Sequence, residues 1–194
     1  MVLYHLGKGL NIDMKLIPDY KSTKSLVIPL VKTLEIRADV FNATMLNARY
    51  FREVMRKSNM REWSDCSKWG TEAVFEYIRM TEFKKCYSRI FSNFFYESID
   101  MCKDLFKRDY EEPGDDDGTI FIYEIDVDDE NYQRYDMEMY DIAYEKMENL
   151  EDIEIIKNIA RRYWKGECTQ NAVIECLSDK KATVKRVIDE RLRI

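Results

Sequence analysis

The apolar residues of this chain change their spacing along its length, and that change of period restricts it to a mixed fold. Phe41, Met45, Ala48, Phe51 or Arg52, and Met55 recur at three and four residues, one face of an amphipathic helix over about residues 38 to 57. Leu30, Val31 and Leu34 extend the pattern upstream, with Pro29 tolerated in its first turn. By contrast, Val2-Leu3-Tyr4-His5-Leu6-Gly7 reads as a short buried strand entering a turn, and Thr119 to Val127 as a strand whose alternation emerges toward its end.

The remaining segments follow the same two periods. Residues 58 to 70 read as a loop with two tryptophans, after which Thr71 is expected to cap a short helix with Glu72 as a favourable charge in its first turn and Val74, Phe75 and Ile78 as its buried face. Ser98 to Phe106 reads as a further helix. Met137, Tyr140, Tyr144 and Met147 form one helical stripe; Ile155 or Ile156, Ile159 and Tyr163 form another, capped by Asp152. Asn171 to Leu177 and Thr183 to Ile188 read as two short strands joined as a hairpin through residues 178 to 181. The order strand, helices, mixed centre, helices and hairpin predicts an α+β fold, and the length fits one domain over residues 1–194.

Composition excludes several functions. Thirty-one basic against thirty-seven acidic residues give a net charge of -6, so no general attraction draws the chain to nucleic acid. Arg52, Arg56, Lys57 and Arg61, and Lys84, Lys85 and Arg89, are the local basic clusters. The five cysteines, Cys66, Cys86, Cys102, Cys168 and Cys176, have neither zinc-ligand spacing nor an even count, which predicts free thiols in a reducing, cytoplasmic setting and no metal site. Lys8 interrupts the N-terminal apolar run, and the longest apolar stretch, Leu26 to Val31, is far below the roughly 20 residues of a membrane span. The acidic run Glu111 to Gly118 fails the calcium-loop pattern, because Ile120 and Asp126 stand where, counting from Asp115, a glycine and a glutamate are needed.

His5 is the only histidine, so any imidazole chemistry has one candidate. Leu3-Tyr4-His5-Leu6-Gly7, Phe91 to Cys102, and Val173-Ile174-Glu175-Cys176-Leu177 together resemble the ADP-ribosyltransferase-like superfamily, in the branch whose pocket is built from histidine, tyrosine and glutamate. Ser88-Arg89-Ile90-Phe91-Ser92 and Tyr163-Trp164 are also similar to an uncharacterised bacterial family near it. The resemblance implies a split β-sheet core with inserted and flanking helices, and NAD as substrate. It implies transfer of ADP-ribose to a macromolecular acceptor with release of nicotinamide, or hydrolysis of NAD as a glycohydrolase.

Under that resemblance Glu175 is the catalytic carboxylate, since a negative group near the ribose stabilises an oxocarbenium-like state. His5 would hold a ribose hydroxyl, and the backbone at Leu6 the nicotinamide carboxamide. Ser92 and Ser98 would contact the cofactor, Arg89 would pair with the pyrophosphate, and Phe91, Phe94 or Tyr96 would stack on nicotinamide. Glu124 is the alternative carboxylate. Ile90 or Phe91 and Met101 occupy the two positions where the superfamily has stacking tyrosines, and Val173 disfavours arginine as acceptor. Those departures support an alternative, a non-catalytic interaction protein that keeps the scaffold. The enzymatic reading requires His5 and Glu175 to meet, and it assigns acceptor recognition to residues 166 to 171.

Overall fold

The computed structural model describes residues 2–18, 21–56, 66–110, 120–127 and 131–192. In chain order the elements are β1 (Val2–Gly7), β2 (Lys15–Leu16), α1 (Lys21–Ile36), α2 (Ala38–Arg56), α3 (Cys66–Glu82), a 3-10 turn (Arg89–Phe91), β3 (Asn93–Tyr96), α4 (Ile99–Tyr110), β4 (Ile120–Asp126), β5 (Gln133–Asp136), α5 (Met137–Glu148), α6 (Ile153–Trp164), β6 (Ile174–Ser178) and β7 (Ala182–Leu192). They form two compact units, both discontinuous in sequence: Met1–Asp19, Ser92–Tyr135 and Val173–Ile194 make one, Tyr20–Phe91 and Asp136–Ala172 the other. The α+β expectation holds. No helix among the described residues is long and apolar enough to cross a membrane.

The first unit is built on a seven-stranded sheet in the order β2-β7-β4-β1-β3-β6-β5. Every pairing with a defined register is antiparallel. β6 and β7 are therefore not a hairpin: β6 pairs with β3, β7 with β4, and three strands separate them. Four interstrand steps cover roughly 19 Å in a flat sheet, whereas the link from Ser178 to Ala182 reaches at most about 14 Å. The sheet must fold back on itself. Its concave face holds one apolar cluster drawn from both halves, with Phe95 and Cys176 from β3 and β6 against Leu3, Ile125 and Val184 from β1, β4 and β7. Strand alternation puts Val2, Tyr4 and Leu6 on the other face. α4 packs on β1 and β3 with Cys102, Leu105 and Phe106 buried, and these residues lie outside the concave cluster.

The second unit is helical and centred on α3, where Ala73, Val74, Phe75 and Ile78 have no exposure. A Cβ on Gly70 would lie 2.5 Å from Cε of Met45 on α2 and 3.4 Å from Sδ of Met147 on α5, so the missing side chain is what lets these helices approach. Phe75 meets the rings of Tyr140 and Tyr163 edge-on at 5.3 and 5.1 Å.

Three local expectations are corrected. α1 and α2 are separate helices that break at Arg37, and Pro29 lies inside α1 rather than in a first turn. α3 starts at Cys66, so Trp69 and Gly70 are helical; residues 58–65 of the expected loop, Trp63 among them, lie outside the described residues. Thr71 is not a cap but an interior residue whose Oγ1 donates to the Ser67 carbonyl at 2.8 Å. Asp152 does cap α6, accepting from the Glu154 amide. The acidic run at 111–118 is also outside the described residues.

Candidate functional site

Register aligns five side chains in a row across the sheet: Arg186, Glu124, Tyr4, Tyr96 and Glu175, from β7, β4, β1, β3 and β6 in turn. Direct antiparallel partners have Cβ atoms roughly 5 Å apart, so Glu175 stands beside Tyr96, with Tyr4 one strand further. Glu175 is fully buried. At the other end of the row Glu124 is committed to Arg186, with Nε donating to Oε2 at 2.6 Å. Leu6 belongs to this same face, two residues from Tyr4. Ser98 follows β3 and begins α4: its Oγ accepts from the Met101 amide at 3.1 Å, a capping role. Glu97 pairs with Arg134 at 2.9 Å beside it.

His5 is on the opposite face. It is the cross-strand partner of Tyr123, lies edge-on to Phe95 at 6.1 Å, and so belongs with the concave cluster. Its Nδ1 lies 3.0 Å from the Phe94 carbonyl oxygen, which requires an Nδ1–H donor. Burial pushes the imidazole below its ordinary 6.5, and the bond to Phe94 offsets that only in part. The expectation that His5 meets Glu175 is therefore not met. With the sheet between them, the histidine-tyrosine-glutamate pocket drawn from the sequence does not assemble, because alternation turns position 5 away from positions 4 and 6.

Arg89 and Phe91 belong to the helical unit. Arg89 is neither a phosphate clamp open to solvent nor a surface ion pair: it is 6% exposed and binds Glu72 through Nε and Nη2 at 3.2–3.3 Å. Its Nη1 donates to the Tyr163 hydroxyl at 3.0 Å, and its guanidinium lies 4.2 Å from the centre of the Tyr140 ring. Alongside, Glu76 accepts two bonds from Arg79 and one from the Ser88 hydroxyl. Phe91 is covered by Lys24, 5.4 Å from its centroid. Ser92 begins the sheet unit; its Oγ is buried and has no hydrogen-bond partner among the described residues.

The sequence places Glu72 in the first turn of a helix, whereas it is a buried residue inside α3; Glu76 was missed, although its spacing of four from Glu72, interleaved with Val74, Phe75 and Ile78, placed two carboxylates on a buried helix. Asp136 was missed as well. That residue caps α5 through the Glu138 amide and accepts both the amide and the hydroxyl of Thr169, at 2.7 and 2.8 Å. The segment 166–171 is thereby fastened to the start of α5. Among the described residues no group of three or more potential ligands could hold a metal, and the five cysteines are free thiols.

With these features in place, comparison with known families gives a class. A family model described as "Protein of unknown function (DUF2441)" matches residues 20–190, and the chain belongs to that family. No curated protein matches the chain.

Proposed function

We propose that the chain is a non-catalytic interaction protein that keeps an ADP-ribosyltransferase-like scaffold without NAD turnover. One observation carries this reading: His5 and Glu175 occupy opposite faces of the sheet, so the pocket that NAD turnover requires lacks its histidine. Arg89, the residue expected to pair with the pyrophosphate, is committed to Glu72, and Glu175 is fully buried. The scaffold itself is supported by the joint beside β1, which matches β4 at six positions and β3 at only one.

A second reading, an ADP-ribosyltransferase or NAD glycohydrolase that uses Glu175 without His5, has Tyr96 and Tyr4 beside the carboxylate in its favour. In that reaction the bond between ribose C1′ and nicotinamide breaks, its electron pair neutralising the pyridinium. The Glu175 carboxylate stabilises the cationic sugar, and an acceptor or water oxygen bonds C1′ while releasing its proton. One experiment separates the two. On the second reading, NAD raises Tm by mass action, nicotinamide is released, and Glu175→Gln abolishes release while keeping the fold. Absence of both a thermal shift and nicotinamide release with every acceptor, water included, supports the scaffold reading, and nicotinamide release overturns it.

A further inference from the structure

We propose that the cleft between α2 and the turn from α5 to α6 docks a segment of a partner protein that carries large apolar side chains flanked by lysine or arginine. This rests on the interaction reading above and names its surface and the chemistry of its partner. The cleft has a volume of about 450 Å³ and lies wholly within the helical unit. Its floor is Met45 from α2, Met147 from α5, and Ile153 and Ile156 from α6, all buried. Two further lining leucines stand toward solvent, Leu46 at 54% and Leu150 at 40% exposure. Flexible thioethers let such a floor fit apolar groups of differing shape.

The backbone holds Leu150 in that position at a cost. α5 and α6 end in the same hydrogen-bonded motif. The amides of Leu150 and Glu151 donate to the Met147 and Lys146 carbonyls at 3.1 and 3.0 Å, as those of Gly166 and Glu167 do to Tyr163 and Arg162 at 2.8 and 3.2 Å. Each motif needs a left-handed residue, with φ +53° at Leu150 and +73° at Gly166. Glycine takes that conformation freely, whereas a Cβ crowds the neighbouring carbonyl. Burial within the chain does not offset the strain, because the leucine side chain remains exposed. A partner's apolar groups complete its burial.

Charge selects the partner. The charged residues lining the cleft are Glu151 and Asp152, both acidic. Residues 145–157 hold five carboxylates against two lysines; Lys146 pairs with Glu151 at 2.9 Å and Lys157 with Glu154 at 2.7 Å, which leaves the rim negative. At the start of α2, Arg37 and Asp39 neutralise each other. Basic residues beside the apolar anchors meet that field, whereas a second copy of the chain would set one acidic rim against another across a two-fold axis.

The probe is a fluorescein-labelled helical peptide of leucine and lysine, its leucines three and four residues apart, read by fluorescence anisotropy against the native chain. It should bind at least about tenfold more tightly than the matching peptide of leucine and glutamate, and more weakly as salt is added. Leu150→Gly should weaken binding by about tenfold with Tm unchanged or higher, since it removes the strain together with the contact. Leu46→Ser should weaken binding similarly; if Leu150→Gly lowers Tm instead, Leu46→Ser alone decides. No binding, equal affinity for the two peptides, or affinity unchanged in the deciding variants overturns the proposal. So does a dimer in sedimentation, or binding to phosphatidylcholine vesicles, that Leu46→Ser abolishes. The two readings fail separately: without this cleft the interaction protein binds elsewhere, whereas nicotinamide release overturns the interaction reading whatever the peptides do.

Discussion

Replacing Arg89 with methionine distinguishes a ligand-binding arginine from one that holds the helical unit together. The side chain makes three contacts with Glu72 at 3.2–3.3 Å, one with Tyr163 at 3.0 Å, and stacks on Tyr140 at 4.2 Å. The Glu72 contacts are longer than the roughly 2.8 Å of strong charged bonds, so the attraction lost is modest. The larger effect is that Glu72, only 7% exposed, becomes a buried charge without its counterion. Removing one partner of a buried pair costs about 3–5 kcal/mol, and the ring contact with Tyr140 contributes about 1 kcal/mol within that. For a chain of this length the corresponding fall in Tm is on the order of 10 °C. Urea unfolding is the direct assay: the midpoint should fall while the m-value is unchanged. Glu72→Gln combined with Arg89→Met should recover at least half the loss, because the orphaned charge has gone. A loss below about 1 kcal/mol for the single variant, or a double variant no better than it, refutes the argument.

Asp136→Ala should cost about 3 kcal/mol by urea unfolding, from one helix cap and two charged bonds to Thr169. Limited proteolysis should then cut within 166–171 first; an unchanged cleavage pattern would show that the segment is held some other way. Burial pushes the thiols of Cys102 and Cys176 up to about 12 from 9.0. Both should resist thiol reagents in the folded chain while exposed Cys168 reacts. Because the folded thiols keep their protons longer, their stabilisation is complete below pH 9 and declines as pH rises from there toward 12, which unfolding curves across that range would reveal.

The helices were largely legible because their signals are local. The stripe through Met137, Tyr140, Tyr144 and Met147 and the Asp152 cap depend only on near neighbours, and α5 and α6 occur where those residues place them. Thr71 misled because one hydroxyl serves equally at a cap or on the carbonyl four residues back, and the start of α3 upstream decided which. The β6–β7 hairpin failed for the opposite reason. A short polar link between two apolar runs ordinarily joins paired strands, but β3 and β4 compete for those edges and take them. The candidate site was legible as a list of residues and not as an arrangement. Glu175, Tyr96 and Leu6 share a face, while the single step from Tyr4 to His5 reverses direction, which no spacing argument across remote segments could register.

The discontinuity of the sheet unit also bears on how the chain is made. Every segment of the helical unit has been synthesised once Ala172 has been added, whereas the sheet still lacks β6 and β7. Until then β1 has been waiting since the first residues, and β4 and β3 each lack the outer neighbour they will have in the finished sheet. On the ribosome the helices can settle first, and the sheet closes only when residues 173–192 emerge, so a premature stop near residue 172 should release a chain with two open strand edges and a strong tendency to aggregate.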